Sequence, residues 1–265
     1  MKSLENKRKK ETTTLSNKIL ARFDLDYRTE AGLKELFKEG KINKGELKIY
    51  LQPDFYNLDN MLELAKDKDL SRLIPICFYE NEEFIKKSGI TRLPDRFSAG
   101  NPKIREFTIL PEITEIGEKA FFSCGNLQKI YAAPRKKGLK IEIQAFMFCI
   151  RLQEVILNCQ TEIGPIVFSD CLSLKKIRAD IARIKIGAFN GCVKLEEIRL
   201  TNLKIIAKKA FHDCIRLKYV YAPAVEKIEA YAFENCYSLK CMECRKIPAV
   251  EDTTFFTAGS DTSTE

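Results

Sequence analysis

The sequence is poor in the residues from which many catalytic and cofactor sites are built. It contains one histidine, His212, no tryptophan, and only 12 glycines in 265 residues. These glycines form no phosphate-binding loop, and no run of about 18 apolar residues is present to predict a membrane-spanning helix. Sites that need several histidines or a glycine-rich phosphate cradle are therefore excluded, and we expect no enzyme activity, no metal and no cofactor.

The charge balance is only moderately basic. The sequence has 45 lysines and arginines and 37 acidic residues, which gives a net charge of +8. This excess favours acidic partners only weakly. The first residues, MKSLENKRKKETTT, are basic but are followed by no apolar run, so no secretory signal is predicted. We therefore expect a cytoplasmic protein whose ten cysteines are thiols, with non-classical export or surface display left open.

The segment KKAFHDC, residues 208–214, places the histidine two residues before a cysteine. This pair could begin a metal or nucleophile site, or it could be one copy of a repeat. The surrounding sequence favours the repeat. Six segments share the pattern Ile-x3-(Ala/Val)-Phe-x2-Cys-x2-Leu-x2-(Ile/Val/Met), at 116–132, 141–157, 163–179, 184–200, 206–222 and 228–244. Their first residues lie 25, 22, 21, 22 and 22 residues apart, and His212 occupies a variable position that we predict to be outward and partly exposed.

Incomplete copies flank these six segments. LPDRFSAGNPKIREFTIL (93–110) is a degenerate first copy, and VEDTTFF (250–256) begins a seventh. Each unit is too small to bury its own apolar residues, so the units must stack, and terminal copies of a stack differ because they have one neighbour.

The spacing within a repeat predicts the local structure of each coil. Counting the first Ile as position 0, Leu at position 11, Ile or Val at position 14 and Ala or Leu at position 16 fit a short strand with one bend. A second apolar pair three residues apart, as in Ile113/Ile116 or Ile247/Val250, predicts another short extended segment. The AFxxC stretch predicts a turn of α- or 3₁₀-helix on the opposite side, with the Phe of every coil in one buried aromatic column.

The cysteines of the repeat share one position, which predicts a ladder of buried thiols rather than reactive ones. Cys241-x2-Cys244 is the one spacing typical of zinc or redox chemistry. Residues three apart on a strand point to opposite faces, so we expect Cys244 to face inward and Cys241 outward, which argues against a joint site.

With these residues, the chain resembles the BspA-like class of the leucine-rich repeat superfamily, whose repeats read approximately I-x-x-x-A-F-x-x-C-x-x-L-x-x-I-x-(I/L)-P. The resemblance covers about residues 90–256. It implies an α+β repeat solenoid, a right-handed coil with short parallel strands, that binds a protein or peptide. The proline after the strand is retained only at Pro111, Pro134 and Pro223, and members of this class are frequently surface-displayed or secreted.

The pattern changes upstream of the repeat. Residues 15–89 carry helical signals, including TEAGLKELFKEG with Thr29 as its N-cap and Gly40 as its C-cap, NLDNMLELAKDKDLSRL, and ENEEFIKKSG closed by Gly89. We predict a small, mostly helical N-terminal domain that caps the solenoid. Residues 1–14 and 257–265 are predicted disordered tails, and the basic run Lys7 to Lys10 is either solvated or a targeting or anionic-surface contact.

Positions 13 and 15 of the repeat alternate with inward residues and should face the open side of the solenoid. Tyr and Arg, the usual anchors of protein interfaces, concentrate there. The predicted partner-binding face consists of Lys129, Tyr131, Lys176, Arg178, Arg199, Tyr219 and Tyr221. The sequence thus predicts an interaction module for a protein or peptide, although these residues could also be merely solvated. The alternative is nucleic-acid or anionic-surface binding through the basic tail and this face, which Glu154, Glu197 and Glu243 disfavour.

Overall fold

The computed structural model describes residues 27–52, 55–67, 69–246 and 248–251. These residues form two compact units, one ending at Gly89 and the other beginning at Ile90. Both predicted tails, Ile247 of the last apolar pair, and the seventh copy beyond Glu251 lie outside the described residues. Of the helices described, none combines the length and the apolar content that a membrane crossing requires.

The first unit is helical, as predicted. Its α-helices are α1 (Tyr27–Lys38), α2 (Lys44–Tyr50), α3 (Leu58–Leu64) and α4 (Glu82–Ser88), with 3₁₀ turns at Leu70–Leu73 and Ile76–Glu80. Leu33, Leu36, Met61 and Phe84 are fully buried in its core. The described residues between Asn57 and Leu73 thus include one α-helix and one 3₁₀ turn.

The helix ends agree with the capping residues predicted from the sequence at Gly40 and Gly89, but not at Thr29. Gly40 and Gly89 adopt positive φ after their helices, at 73° and 69°, the conformation that makes glycine the preferred residue there. The prediction of Thr29 as the N-cap of α1 is wrong, because the helix already includes Tyr27. Thr29 is buried instead, and its hydroxyl donates to the carbonyl oxygen of Leu73 at 3.3 Å. Packing therefore uses a side chain that the sequence pattern assigns to capping.

The second unit is a solenoid in which each coil contributes two extended segments and one turn side, as the fold prediction requires. All its strands pair in parallel. The first ladder contains the segments at positions 13 to 16: β2 (Glu106–Ile109), β4 (Lys129–Ala132), the first halves of β6 (Glu154–Ile163) and β7 (Lys176–Ile184), β8 (Glu197–Arg199), β10 (Tyr219–Tyr221) and β12 (Cys241–Glu243). The second ladder contains β1 (Arg92–Leu93), β3 (Glu115–Ile116), β5 (Leu139–Ile141), the second halves of β6 and β7, β9 (Ile205–Ile206), β11 (Lys227–Ile228) and β13 (Ala249–Val250).

The turn side, positions 1 to 8 of each coil, is held by hydrogen bonds to the next coil. The Phe121 amide donates to Ala145 at 2.7 Å, and the Phe146 amide donates to Val167 at 3.0 Å. The predicted turn of helix is wrong, since this side consists of successive turns. Residues with positive φ interrupt any helix in every complete coil. They stand at position 3 (Lys119, Gln144, Ile166, Gly187, Lys209, Tyr231) and at position 7 (Ser123, Phe148, Asp170, Gly191, Asp213, Asn235).

The predicted aromatic column is confirmed. From Phe121 through Phe146, Phe168, Phe189 and Phe211 to Phe233, successive rings lie 5.1–5.4 Å apart and within 13° of parallel. All six are completely buried. Because burial of one Phe contributes about 1.5–3 kcal/mol of transfer free energy, this column is a main source of the solenoid's stability.

The thiol ladder is also confirmed, and it has a function in hydrogen bonding. The thiol of Cys149 donates to the carbonyl oxygen of Phe121 in the preceding coil at 3.0 Å, and the same oxygen accepts the amide of Cys124 at 3.1 Å. Equivalent thiol bonds recur at Cys171, Cys192, Cys214 and Cys236, at 3.1–3.2 Å. Burial raises the pKa of the Cys124 and Cys236 thiols to about 12. These thiols are structural donors rather than nucleophiles.

The degenerate first copy ends the column at its N-terminal side. Phe97 stands one position earlier than the Phe of other copies, and it contacts Phe107 and Phe121 edge-on, each at a centroid distance of 5.5 Å. Asn101 takes the place of the cysteine and, although buried, accepts the amide of Lys103 at 2.9 Å. The two phenylalanines thus fill the end of the core where no further stacked ring follows.

Both ladders are divided at the same place, between β7 and the coil that carries β8 and β9. β7 pairs only with β6, while β8 and β9 begin separate three-stranded sheets. The turn side continues across the division, since the Phe168 amide donates to Ala188 at 2.8 Å. The loss of strand pairing leaves Ile177 of β7 only half-buried, whereas the equivalent Ile130 and Ile198 are buried.

Candidate functional site

The outward side chains of the first ladder form a surface in two parts, one on each side of the division, which we call the strand face. Strands β4 and β8 show the alternation exposed, buried, exposed, while β6, β7, β10 and β12 contain half-buried residues. The register pairs equivalent repeat positions, for example Lys129 with Glu154 and Tyr219 with Cys241. All seven predicted face residues therefore lie in two parallel rows. Position 13 supplies Lys129, Lys176 and Tyr219, and position 15 supplies Tyr131, Arg178, Arg199 and Tyr221.

The part of the strand face before the division is largely neutralised by its own charges. Lys129 lies 3.6 Å from the Glu106 carboxylate, and Lys176 lies 3.2 Å from that of Glu154. Opposite charges on neighbouring strands stabilise the sheet modestly. The two lysines are therefore engaged within the face, which the sequence alone did not reveal.

The part after the division has a different chemistry. The guanidinium carbon of Arg199 lies 5.5 Å from the centroid of the Tyr221 ring, within the range of cation–π attraction, and half of the Tyr219 surface is exposed. These three residues border a shallow depression of about 300 Å³. Its remaining rim residues are Glu197, Cys241 and Glu243, and Ile198 and Val220 also line it. The depression thus offers aromatic surface, one guanidinium and two carboxylates within three coils.

Arg178 and Arg199 occupy the same repeat position on the two sides of the division. Both are exposed, and their strands are not joined by a ladder. Like charges placed directly opposite each other destabilise a sheet, so the two arginines favour separation there. The structure thus assigns Arg178 to the first part of the face and Arg199 to the depression.

Cys241 and Cys244 face different environments, as predicted. Cys241 is exposed beside Tyr219, whereas Cys244 is half-buried, and burial raises the pKa of its thiol. Within the residues that the structure describes, no three His, Cys, Asp or Glu side chains are grouped so as to hold a metal ion. Cys241 contributes an exposed thiol to the rim of the depression.

His212 is partly exposed, with 19% of its side chain accessible. Its Nδ1 lies 2.9 Å from both the Asn190 amide oxygen and the Asp213 carboxylate, and its Nε2 lies 2.8 Å from the Glu234 carboxylate. The prediction of a partly exposed side chain is confirmed, and the structure adds that His212 links three coils in a polar ladder on the turn side. Its neighbour Cys214 is buried in the core.

The division between β7 and β8 was missed by sequence reasoning, although one signal points to it. The unit that starts at Ile163 is the shortest, with 21 residues before Ile184. Its missing residue lies at the corner between the ladders, where β7 runs on without interruption but the next coil turns at Thr201 and Asn202. Because the backbones of these two coils follow different paths at the corner, their strands cannot stay hydrogen-bonded both before and after it.

The fold and this surface together define a parallel-strand solenoid of the leucine-rich repeat class. The BspA type Leucine rich repeat region family matches the chain over residues 52–135, 76–182 and 134–240. The chain therefore belongs to the BspA type leucine-rich repeat family. The matched range begins before Ile90, in residues that the structure shows as helices.

Solved structures support the fold. A leucine-rich repeat protein of T. pallidum is 23% identical, with a TM-score of 0.50, over 57% of this chain and 72% of that one. Another, from Bacteroides ovatus ATCC 8483, is 25% identical with a TM-score of 0.50, over 58% of this chain and 40% of that one. Among curated proteins, none matches the chain.

Proposed function

We propose that the chain is a non-enzymatic module that binds a protein or peptide through its strand face, chiefly at the depression after the division. The observation that carries this proposal is the grouping of Arg199, Tyr219 and Tyr221 on two adjacent strands. Leucine-rich repeat folds commonly serve as interaction modules, and a solenoid offers one pair of exposed side chains per coil to an extended partner.

The chemistry of the depression favours a polypeptide partner of mixed character. Tyr and Arg bury large contact areas and are frequent hot spots of protein interfaces. Glu197 and Glu243 on the rim favour a partner that carries basic groups, while Arg199 favours an acidic one. A partner segment with both charges and an apolar or aromatic centre fits best.

The test is a comparison of partner capture by the wild type and by an Arg178→Ala/Arg199→Ala/Tyr221→Ala variant in the same extract. We expect proteins retained by the wild type to be lost from the variant, and panning of a displayed peptide library should show the same dependence. Circular dichroism and urea denaturation establish that the variant is folded. Identical capture by a folded variant would refute the proposal.

A matched control removes three exposed basic side chains from another surface. Arg183, Lys185 and Lys208 are exposed and lie outside the strand face, so their replacement by Ala should leave capture unchanged. If both triple variants lose the partner equally, general charge rather than the strand face explains retention.

We also propose that the protein works in a reducing compartment, such as the cytoplasm. Six of its thiols occupy one position on consecutive coils, and neighbouring thiols in such a ladder would be able to form disulfides under oxidation. Proximity labelling in the source cell reports compartment and neighbours together, and labelling confined to extracellular proteins would contradict this placement.

A further inference from the structure

A row of apolar side chains runs along the solenoid at position 9, directly after the repeat cysteine. The repeat pattern leaves this position open, yet five consecutive coils place an apolar residue there: Ile150, Leu172, Val193, Ile215 and Tyr237. Four of them are exposed, with Leu172 at 41% and Tyr237 at 60%. An apolar residue exposed singly needs no explanation, but a repeated row marks an interaction site.

Basic side chains accompany this row at positions 10 and 12. Arg151, Lys175, Lys194, Arg216 and Lys240 are all exposed. The described part of the chain shows an ion pair for none of these five, although Arg151 donates to the Asn126 amide oxygen at 2.7 Å. The one acid at positions 10 and 12 of these coils, Glu196, is paired with Lys218 at 2.9 Å. We call the apolar row and these five basic residues the corner ridge.

The ridge lies where each coil turns from its turn side to its strand. Position 7, two residues before the apolar row, has positive φ in every one of these coils, as at Asp213 with 57°. Leu at position 11, between the two basic positions, points inward in four of the five, as at Leu217. The chain thus bends sharply around positions 9 and 10, which makes this edge convex. Coils repeat about every 5 Å, so the five apolar residues span roughly 20 Å.

We propose that the corner ridge docks the protein on an anionic phospholipid surface. A convex edge has no walls to hold a peptide, whereas a flat bilayer can contact all five coils at once. The apolar side chains would enter the headgroup region while the lysines and arginines, which have no ion pair, meet lipid phosphates and carboxylates, the combination by which interfacial segments bind membranes. This surface adjoins the strand face but shares no residue with it, so separate variants let the two proposals fail independently.

The first test is sedimentation of the full chain with phosphatidylcholine vesicles that either contain or lack phosphatidylserine. We expect binding only to the anionic vesicles, weakened by added salt. A Lys194→Gln/Arg216→Gln/Lys240→Gln variant should bind about tenfold more weakly or worse, and so should an Ile150→Ser/Leu172→Ser/Ile215→Ser variant.

Matched controls use residues of the same kinds elsewhere. Ile186 and Ile205 are exposed to similar degrees, and Lys185, Lys208 and Lys246 are exposed basic residues away from the ridge. Their Ser and Gln variants should bind like the wild type, as should the strand-face variant. The basic run Lys7 to Lys10 is present in every variant, so it cannot account for a difference between them.

A second test exploits the complete lack of tryptophan. In a Leu172→Trp variant, fluorescence should shift to shorter wavelength on anionic vesicles and be quenched by brominated lipid, while Ile186→Trp should respond to neither. This readout does not depend on residual affinity. Equal responses from the two tryptophans, binding by the ridge variants at wild-type strength, or retention on heparin without any vesicle binding would overturn the proposal.

Discussion

At the scale of single residues, the position of a side chain in the repeat determines how much it contributes to the stability of the fold. Residues 211 and 212 illustrate this. The ring of Phe211 stacks between those of Phe189 and Phe233 at 5.3 and 5.4 Å. His212 instead makes polar contacts to Asn190, Asp213 and Glu234 at a partly exposed site. One side chain is part of the core, and the other links coils at the surface.

Replacement of these two neighbours should therefore have unequal effects. We expect Phe211→Ala to lower the free energy of unfolding by about 3–5 kcal/mol, because it leaves a cavity within the column. His212→Ala should cost about 1 kcal/mol through lost hydrogen bonds. Urea denaturation measures both, and a histidine variant less stable than the phenylalanine variant would contradict this assignment.

The buried thiols predict a dependence of stability on pH. Unfolded thiols ionise near pH 8.5, but burial raises the pKa of Cys124 and Cys236 to about 12 in the folded protein. Because the folded-state pKa is the higher one, this contribution is complete below about pH 8.5 and is lost as the pH rises towards 12. We expect the unfolding free energy to fall over this window by up to about 1.4 kcal/mol per pH unit for each thiol.

The variant Cys192→Ala isolates this effect. Cys192 is a buried member of the ladder whose pKa is also raised by burial, so its removal should reduce the slope of stability against pH by the contribution of one thiol. Cys241→Ala, at an exposed position, should leave the slope unchanged. Slopes that are equal in all three proteins would show that other groups cause the alkaline loss.

At the scale of the elements, the turn side depends on two left-handed residues in each coil. Gly187 has φ of 61°, and a Cβ added there would lie 2.8 Å from Cγ2 of Ile166. Gly125, in the same solenoid, has no atom within 4 Å of such a Cβ. The two glycines thus differ in both conformation and available space.

Replacing each of these two glycines by alanine should affect stability differently. We expect Gly187→Ala to destabilise the protein by about 1–3 kcal/mol, because it combines a strained φ with a close contact. Gly125→Ala should be neutral or stabilising by up to about 1 kcal/mol. Thermal and urea denaturation would show the difference, and equal changes would mean that the turn relaxes without cost.

At the scale of the whole molecule, the division between β7 and β8 makes the solenoid unequal along its length. On its C-terminal side, the amides of Lys218 and Tyr219 donate to the Glu196 carbonyl oxygen at 2.8 and 3.3 Å. The equivalent amides of Glu196 and Glu197 face β7, with which β8 has no ladder. The turn side and the core join the two parts, together with a hydrogen bond at the corner, where the Asn202 side-chain amide donates to the Asp180 carboxylate at 2.8 Å.

Hydrogen exchange should detect this division. We expect the amides of Glu196 and Glu197 to exchange about tenfold faster, or more, than those of Lys218 and Tyr219, because exposed and unpaired amides open locally. Exchange followed by NMR compares the four residues within one sample. Similar protection at all four positions would show that the ladder closes in solution.

The amino-acid sequence by itself determined the stacking of coils, the aromatic column, the thiol ladder and the two rows of the strand face. A strict period puts equivalent residues in register, and Phe189 or Cys192 can be buried only if neighbouring coils cover them. The same argument predicted the helices closed by Gly40 and Gly89, since left-handed caps depend on local conformation.

Only the tertiary structure decided where the ladders divide, which face lysines are paired with Glu106 and Glu154, and how His212 is held. The structure also shows successive turns with positive-φ residues where a helical turn was expected. Thr29, expected as a cap, is instead buried and contacts Leu73. These features depend on the backbone path of the neighbouring coil or helix. A repeat pattern describes each unit alone, so it cannot show that a 21-residue unit will leave its neighbour's strand unpaired.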